Sequence, residues 1–283
     1  MRLLGVRLFR RLPTQGQLRL AMRVLPHVPA ASVAWLRALG WAGRRRVFGR
    51  IERHELRIAR PDAGCVRGVL HPVRGSRAAV LAVGGSTGGL HGPAWIYPEL
   101  CARLQSAGIA GLRLDYARPN RLEDCTQDVL AGIHFLEEQG SQRVVLLGWS
   151  FGGAVVIRAG VQSTRVVAVA TVGAQTAGTG AVGRLAPRPL LVLHGTADPI
   201  LPDRCARDLY ARAAEPKELG LYPGDGHGLE HHQTAVLDRL VAWTQGVLRA
   251  TTTPEGGAER DPVTRDDPFQ LVSGVGDTPA GTS

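Results

Sequence analysis

Long apolar segments are missing from this sequence. No run of about 18 or more uncharged apolar residues occurs, so no segment predicts a membrane-spanning helix. Cysteine is also scarce: the 283 residues contain four, too widely spaced for a CxxC pair or a Cys/His cluster, which argues against a zinc site. A domain of this size does not need disulfides, so we expect free, mostly buried thiols in a cytoplasmic protein.

Lysine is nearly absent, and acidic residues are missing from one end of the chain. Lys217 is the one lysine among 34 basic residues. This imbalance indicates a codon bias, so the large number of arginines is weak evidence for any particular function. The net charge is +10, of which residues 1–51 contribute +11 and residues 251–283 contribute −4, so the central region is close to balance. The high isoelectric point therefore does not predict a nucleic-acid partner.

The two ends of the chain differ in composition from its centre. Residues 1–50 are basic and predict helices, because Leu4, Leu8 and Leu12 share one helical face. Three interpretations of this segment stay open: packing on the central domain, peripheral contact with an anionic membrane, or an arginine-rich organelle presequence. Residues 251–283 are rich in Thr, Pro, Gly and Asp and are expected to be disordered.

Between these ends, residues 51–250 show the alternation of strands and helices that is typical of one α/β domain. "RHELRI" and "CVRGVL" predict a hairpin, and short Val/Leu runs such as "AAVLAV" then alternate with helical patterns. Near-continuous apolar runs are typical of parallel strands that helices cover on both faces. We expect about eight strands in a mostly parallel sheet, the first two antiparallel, and a helix at 93–108 interrupted by Pro98.

The pattern Gly-x-Ser-x-Gly occurs twice, at 84–88 and at 148–152. It can hold a nucleophilic serine on a strained turn between a strand and a helix. Only the second copy has that context, since Ser150 directly follows the strand "RVVLLGW" and opens a helix of small residues. The first copy continues as a glycine-rich loop, and no helix is expected before Pro93. Ser150 is therefore the candidate nucleophile.

A serine hydroxyl needs a general base, and the base needs an orienting acid. Asp198 lies in "TADPILPD" after one predicted strand, and His227 lies in "PGDGHG" before the last predicted helix. Because the carboxyl ends of parallel strands meet at one edge of a sheet, both residues are expected to converge on Ser150. The order serine, aspartate, histidine is that of α/β-hydrolases.

With these three motifs, residues 77–250 resemble the α/β-hydrolase superfamily. "GWSFGG", "HGTADPILP" and "PGDGHG" are similar to the nucleophile, acid and histidine motifs of its small serine esterases and of prolyl-oligopeptidase-type peptidases. The layout around residues 115–136 is similar to the dienelactone-hydrolase branch. Members of that branch have cysteine at the position of Ser150, so their activity is not transferred to this chain.

The resemblance implies a lidless serine esterase and further site residues. In the family, backbone N–H groups of the residue after the nucleophile and of the loop after the third strand form the oxyanion hole. The corresponding residues here are Phe151 and Ser86. Only residues 174–187 lie where related enzymes insert a lid, which predicts an open site for small acyl esters. Candidates for substrate contact are Trp149, His91 and Trp95.

Other titratable residues near these motifs receive simpler interpretations. "HGLEH" at 227–231 matches a zinc-binding pattern, but the glycines around it argue against one helix that carries both histidines. Asp225 is expected to be solvated, and His194 is expected to be structural. His231 and His232 are expected to open the last helix at the protein surface, and Glu230 is expected to be a carboxylate in the first turn of that helix.

The sequence therefore predicts a serine hydrolase for a carboxylic ester or thioester, with Ser150, His227 and Asp198 as its triad and with neither metal nor organic cofactor. Two alternatives stay open. One is a peptidase, although residues 1–50 cannot form the propeller that related peptidases usually carry. The other is a hydrolase fold that binds a partner or a membrane without catalysis. The acyl group, the leaving group and the oligomeric state do not follow from the sequence.

Overall fold

The computed structural model describes residues 52–60 and 64–251. The predictions for residues 1–50 and for nearly all of 251–283 lie outside the described residues, and the expected domain limits stay predictions. Within the described ranges, no helix is both long and apolar enough to cross a membrane.

One sheet of eight strands organises the described residues. The strands are β1 (His54–Ala59), β2 (Cys65–His71), β3 (Ala78–Val83), β4 (Ala110–Leu114), β5 (Arg143–Trp149), β6 (Val166–Val172), β7 (Leu190–Gly195) and β8 (Lys217–Tyr222). Their spatial order is β1-β2-β4-β3-β5-β6-β7-β8. β2 pairs antiparallel with both β1 and β4, and all other pairs are parallel. The mostly parallel sheet is confirmed, with β2 as the one reversed strand in it.

Helices cover both faces of the sheet, as the apolar strand sequences predict. They are α1 (Ile96–Ser106), α2 (Leu122–Glu138), α3 (Phe151–Gly160), α4 (Arg204–Arg212) and α5 (Gln233–Ala250). All of β3 is buried, because its alternate side chains belong to two core layers, one that includes residues of α2, α3 and α4 and one that includes residues of α1 and α5. The hydrophobic core thus has two layers, one on each side of the strands.

The parallel strands end at one edge of the sheet, and the candidate site residues follow them there. Gly84 follows β3, Ser150 follows β5, and Gly173 follows β6. Asp198 lies in the loop after β7, and His227 lies in the loop between β8 and α5. Loops at this edge are the usual location of ligand sites in open α/β sheets.

Pro98 does not interrupt the predicted helix at 93–108. A 3₁₀ turn at Pro93–Trp95 comes first, and α1 begins after it, so that Pro98 lies in the first turn of α1. The first N–H groups of a helix have no intrahelical partner, and proline at this position therefore breaks no hydrogen bond. The predicted helix exists, but it begins three residues later than its sequence pattern indicates.

The connection between β6 and β7 contains no inserted lid. Its one regular element is a short 3₁₀ turn at Val182–Leu185. The absence of a large lid at this connection, which the length of the segment predicts, is confirmed.

All four cysteines have free thiols. Cys101 and Cys125 are buried, Cys205 is partly exposed and Cys65 is exposed, so the expected burial applies to two of them. Burial raises the pKa of the Cys101 thiol to about 12 and that of Cys125 to about 11. Both buried thiols are therefore protonated at neutral pH.

Candidate active site

Ser150 occupies the sharp turn between β5 and α3. Its backbone has φ 58° and ψ −122°, which is a strained conformation for a residue with a side chain. Its N–H donates to the carbonyl of Val172 at 2.9 Å and ties the turn to the end of β6. The flanking glycines are required by space, since a Cβ on Gly148 would lie 2.2 Å from the carbonyl oxygen of Gly152. A nucleophile elbow needs this geometry.

The two Gly-x-Ser-x-Gly turns lie directly against each other. A Cβ on Gly152 would lie 2.3 Å from the carbonyl oxygen of Gly84, so the two backbones are in contact. A Cβ on Gly85 would lie 3.4 Å from Cβ of Ser150 and 3.8 Å from its Oγ. The first turn therefore borders the candidate nucleophile.

Side chains at the end of β4 hold the loop that contains the first turn. The hydrogen bonds run from Arg113 to the Leu90 carbonyl (3.0 Å), from the Gly89 N–H to Asp115 (2.7 Å) and from Tyr116 to the Gly84 carbonyl (3.1 Å). Sequence reasoning missed these contacts, because β4 precedes α2 along the chain and only the sheet order places it beside β3.

Arg113 is itself supported by a buried histidine. Its Nε donates to Nε2 of His71 at 3.1 Å, and both side chains are buried on the α1 side of the sheet. Burial, together with the positive charges of Arg113 and Arg53, lowers the pKa of His71 to about 3. His71 is therefore a neutral acceptor for the guanidinium at neutral pH.

The expected oxyanion donors lie in the two turns that meet at Ser150. Phe151 is the first residue of α3, and N–H groups in the first turn of a helix have no partner within the helix. Ser86 lies at the exposed tip of the other turn, which is closed where the Gly88 N–H donates to the Gly85 carbonyl at 2.9 Å. The role of both N–H groups stays a prediction.

Asp198 and His227 form a hydrogen-bonded pair in the loops after β7 and β8. Nδ1 of His227 lies 2.7 Å from Oδ2 of Asp198. The second oxygen, Oδ1, accepts the N–H groups of Ile200 at 2.8 Å and Leu201 at 2.9 Å. The carboxylate is fully buried, and the imidazole is 12% exposed. Because an ionised carboxylate only accepts hydrogen bonds, Nδ1 carries the proton and Nε2 is left as the acceptor of the ring.

Two neighbours hold His227 beside the Ser150 turn. Gly173 has φ +55°, and a Cβ there would lie 3.4 Å from Nδ1 of His227. Gly173 directly follows Val172, whose carbonyl binds the Ser150 N–H. The indole N–H of Trp149 donates to the His227 carbonyl at 3.2 Å, and the two rings lie 5.5 Å apart. The three residues predicted as a triad are thus brought to one edge of the sheet.

Asp225 is buried, and the prediction that it is solvated is wrong. Its carboxylate accepts the N–H of His232 at 2.9 Å and the N–H of Gly226 at 3.0 Å, and it lies 3.0 Å from Nδ1 of His232. Burial acts to raise the pKa of Asp225, but the hydrogen bonds outweigh burial and hold this pKa below its usual value. Asp225 therefore fixes the loop that carries His227.

The segment at 227–232 lies ahead of the last helix, since α5 begins only at Gln233. Glu230 is therefore not in the first turn of that helix, and the prediction for it is wrong. The N–H groups of His231 and His232 turn toward Asp225 instead of entering the helix. The two histidines of "HGLEH" do not share a helix, and the described residues contain no group of three or more side chains that could hold a metal ion.

His194, which is expected to be structural, lies against the candidate acid. Its side chain is fully buried, and its Nε2 is 2.7 Å from the Leu201 carbonyl oxygen and 3.3 Å from Oδ2 of Asp198. The residues between them form an irregular turn whose shape has no periodic sequence signal. The contact is therefore visible only in the structure.

His91 and Trp95 contact each other. Their rings are stacked, with centroids 4.0 Å apart, and Trp95 is 45% exposed. Trp149 contacts His227, as described above. Contact of any of these three side chains with a substrate stays a prediction.

Residues 105–245 match the model of the dienelactone hydrolase family. The uncharacterized protein YfhR of Escherichia coli K12 is 30% identical over 129 residues, which cover 38% of this chain and 45% of that protein. The chain thus spans less than half of the length of this curated relative.

Solved structures resemble the described fold over about two thirds of the chain. The dienelactone hydrolase from Anabaena variabilis has a TM-score of 0.62 and 19% identity, covering 69% of this chain and 97% of that one. Est1E from Butyrivibrio proteoclasticus has a TM-score of 0.60 and 15% identity, covering 69% and 99%. At these identities the likeness concerns the fold.

Proposed function

Since the chain belongs to the α/β-hydrolase superfamily, we propose that it is a serine hydrolase that cleaves a carboxylic ester or thioester. The observation that carries this proposal is the 2.7 Å hydrogen bond between His227 Nδ1 and Asp198 Oδ2, at the same sheet edge as the strained turn of Ser150. A buried carboxylate on Nδ1 leaves Nε2 free to act as a base, and base catalysis activates a serine.

In the proposed mechanism, Oγ of Ser150 attacks the acyl carbonyl while its proton passes to Nε2 of His227. Asp198 holds the imidazole in the required tautomer and stabilises the positive charge that forms on it. The protonated imidazole then donates to the leaving alcohol or thiol, which departs and leaves an acyl group on Ser150. Water repeats these steps with His227 as its base and releases the acid.

In this proposal, the N–H groups of Phe151 and Ser86 donate hydrogen bonds to the carbonyl oxygen and stabilise the negative charge that forms on it. The contact of Gly85 with Ser150 supports this assignment, because it places the first turn next to the reacting atom. Removal of one oxyanion donor typically costs about 2.7–4 kcal/mol of barrier, so small shifts of this turn affect the rate strongly.

The proposed substrates are small acyl esters. The connection between β6 and β7 carries only a 3₁₀ turn and leaves this side of the site without a lid. A strong preference for long-chain triglycerides over short esters would contradict this proposal.

Hydrolysis of p-nitrophenyl acetate and longer p-nitrophenyl esters, beside aminoacyl p-nitroanilides, tests the function. We expect turnover of the short esters and little turnover of the anilides. Ser150→Ala removes the nucleophile and is expected to lower kcat by at least about 10³-fold. Ser86→Ala is the matched control, since only the backbone N–H of Ser86 is assigned a role, and it is expected to retain most activity. Equal activity of the two variants would contradict the proposal.

The cytoplasm remains the expected location, and membrane contact through residues 1–50 remains a prediction. Sedimentation with anionic liposomes, comparing the full chain with a chain that lacks 1–50, tests the contact. Equal and negligible sedimentation of both would remove it.

A further inference from the structure

A second histidine contacts the carboxylate that holds His227. His194 lies near the end of β7, and the side chains of His194 and Asp198 are both fully buried. Nε2 of His194 is 3.3 Å from Oδ2 of Asp198, and this is the oxygen that Nδ1 of His227 approaches to 2.7 Å. The candidate acid is therefore bordered by two imidazoles on one oxygen.

The hydrogen-bond partner of His194 fixes the position of its proton. Nε2 lies 2.7 Å from the carbonyl oxygen of Leu201, and a carbonyl oxygen only accepts. Nε2 therefore carries a hydrogen, which it donates to the Leu201 carbonyl, while Oδ2 of Asp198 lies 3.3 Å from the same nitrogen. Nδ1 is buried without a hydrogen-bond partner among the described residues, so a proton there would be an unsatisfied buried donor. The arrangement fits the neutral tautomer with hydrogen on Nε2.

The same loop holds the second carboxylate oxygen. Oδ1 of Asp198 accepts the N–H groups of Ile200 and Leu201 at 2.8 and 2.9 Å. Leu201 thus binds Asp198 through its N–H and His194 through its carbonyl. These hydrogen bonds connect His194 at the end of β7 through Leu201 to Oδ1 of Asp198, and His194 also contacts Oδ2.

We infer that His194 is a positioning residue, which donates its Nε2–H to the Leu201 carbonyl and packs against Oδ2 of Asp198 at 3.3 Å, so that the carboxylate faces His227. His194 touches neither the substrate nor the reacting serine in this role. The inference rests on the proposed function, because its effect on rate requires that Asp198 and His227 work as a pair.

Substitution by glutamine and by methionine separates this role from simple packing. The amide N–H of His194→Gln reaches about as far as Nε2 of histidine, whereas His194→Met has similar length and no donor. With p-nitrophenyl acetate, we expect His194→Met to lower kcat about 10-fold or more with KM changed less than about 2-fold, and His194→Gln to stay within about 3-fold of the parent kcat. Equal kcat values for two folded variants would overturn the inference.

If His194→Met does not fold, His194→Asn can replace it as the variant that lacks a donor at the position of Nε2. The amide of His194→Asn is polar but corresponds to the Nδ1 side of the ring, so it does not reach the Leu201 carbonyl. We expect kcat of the asparagine variant to fall about 10-fold below that of the glutamine variant. Equal kcat in this pair, with thermal midpoints showing that both are folded, would also overturn the inference.

Proton NMR gives a readout that does not depend on turnover. The proton on Nδ1 of His227 forms a hydrogen bond to Asp198. It is expected to give a downfield resonance that disappears in His227→Gln. In His194→Met, or in His194→Asn if the first does not fold, this proton is expected to exchange with water faster than in His194→Gln. Unchanged exchange would contradict the role of His194. A parent protein that hydrolyses no ester would instead contradict the proposed function, and the exchange comparison would still decide about His194.

Discussion

Exchange of Asp198 for asparagine is expected to abolish most activity without altering the shape of the site. Oδ1 of Asp198 accepts two backbone N–H groups, at 2.8 and 2.9 Å, so the amide oxygen of Asp198→Asn will take this position. The amide NH₂ then replaces Oδ2, which lies 2.7 Å from Nδ1 of His227 and 3.3 Å from Nε2 of His194. The new group is a donor in a place that the native structure reserves for an acceptor.

The consequence for His227 is a change of tautomer. Nδ1 can meet the amide only as an acceptor, so the ring hydrogen moves to Nε2, which then cannot take the proton of Ser150. A triad whose histidine is held in the wrong tautomer loses about 10⁴ in kcat, or about 5 kcal/mol of transition-state stabilisation. KM is expected to change little, because the substituted side chain is buried away from solvent.

Continuous release of p-nitrophenolate from p-nitrophenyl acetate measures this effect. The matched control is Asp203→Asn, which removes a partly exposed carboxylate that pairs with Arg207 on the next helix and is expected to keep kcat within about 2-fold. An Asp198→Asn protein that is folded and retains more than about a tenth of the parent kcat would refute the tautomer argument.

Three further substitutions test the parts that support the site. Gly152→Ala places a Cβ 2.3 Å from the Gly84 carbonyl oxygen, so we expect a lower thermal midpoint and a large loss of kcat; a parent-like midpoint would contradict the contact of the two turns. Tyr116→Phe leaves the Gly84 carbonyl without its 3.1 Å hydrogen bond, and we expect a destabilisation of about 1–3 kcal/mol in urea unfolding together with reduced kcat, whereas unchanged values would refute this role. The pKa of His71 is lowered from 6.5 to about 3, so the unfolded chain binds the proton more readily, and the stability held above pH 6.5 is lost as pH falls toward 3. Between pH 7 and pH 5, the free energy of unfolding of His71→Gln is therefore expected to fall by about 2 kcal/mol less than that of the parent, as measured by denaturant titrations. Parallel pH profiles of the two proteins would contradict this role of His71.

The sheet and the elbow could be predicted because their signals are local. A strand buried on both faces needs a near-continuous apolar run, and "RVVLLGW" is β5 at the predicted bounds. Glycine is expected at 148 and 152 because a sharp strand-to-helix turn leaves no room for a Cβ at these positions. Loops after parallel strands meet at one edge, and with the motifs around Asp198 and His227 this rule predicts that the two residues converge, as their 2.7 Å hydrogen bond confirms.

The remaining errors concern residues whose partners depend on the path of a loop. Asp225 lies among glycines, and composition alone predicts a solvated carboxylate, but the loop folds back so that the N–H groups of His231 and His232 bind it. Because these N–H groups point at Asp225, α5 begins later than the sequence pattern indicates, and Glu230 remains outside the helix. The contact of His194 with Asp198 likewise arises from an irregular turn.

Chemical labelling can show directly which of the two serines, Ser86 or Ser150, is the nucleophile. The two candidates fall in different tryptic peptides, residues 78–103 for Ser86 and residues 144–158 for Ser150. After treatment of the intact protein with a fluorophosphonate probe, mass spectrometry of these peptides locates the adduct. We expect labelling of 144–158 at Ser150, lost in Ser150→Ala and retained in Ser86→Ala. Labelling of 78–103, or labelling that persists in Ser150→Ala, would contradict it.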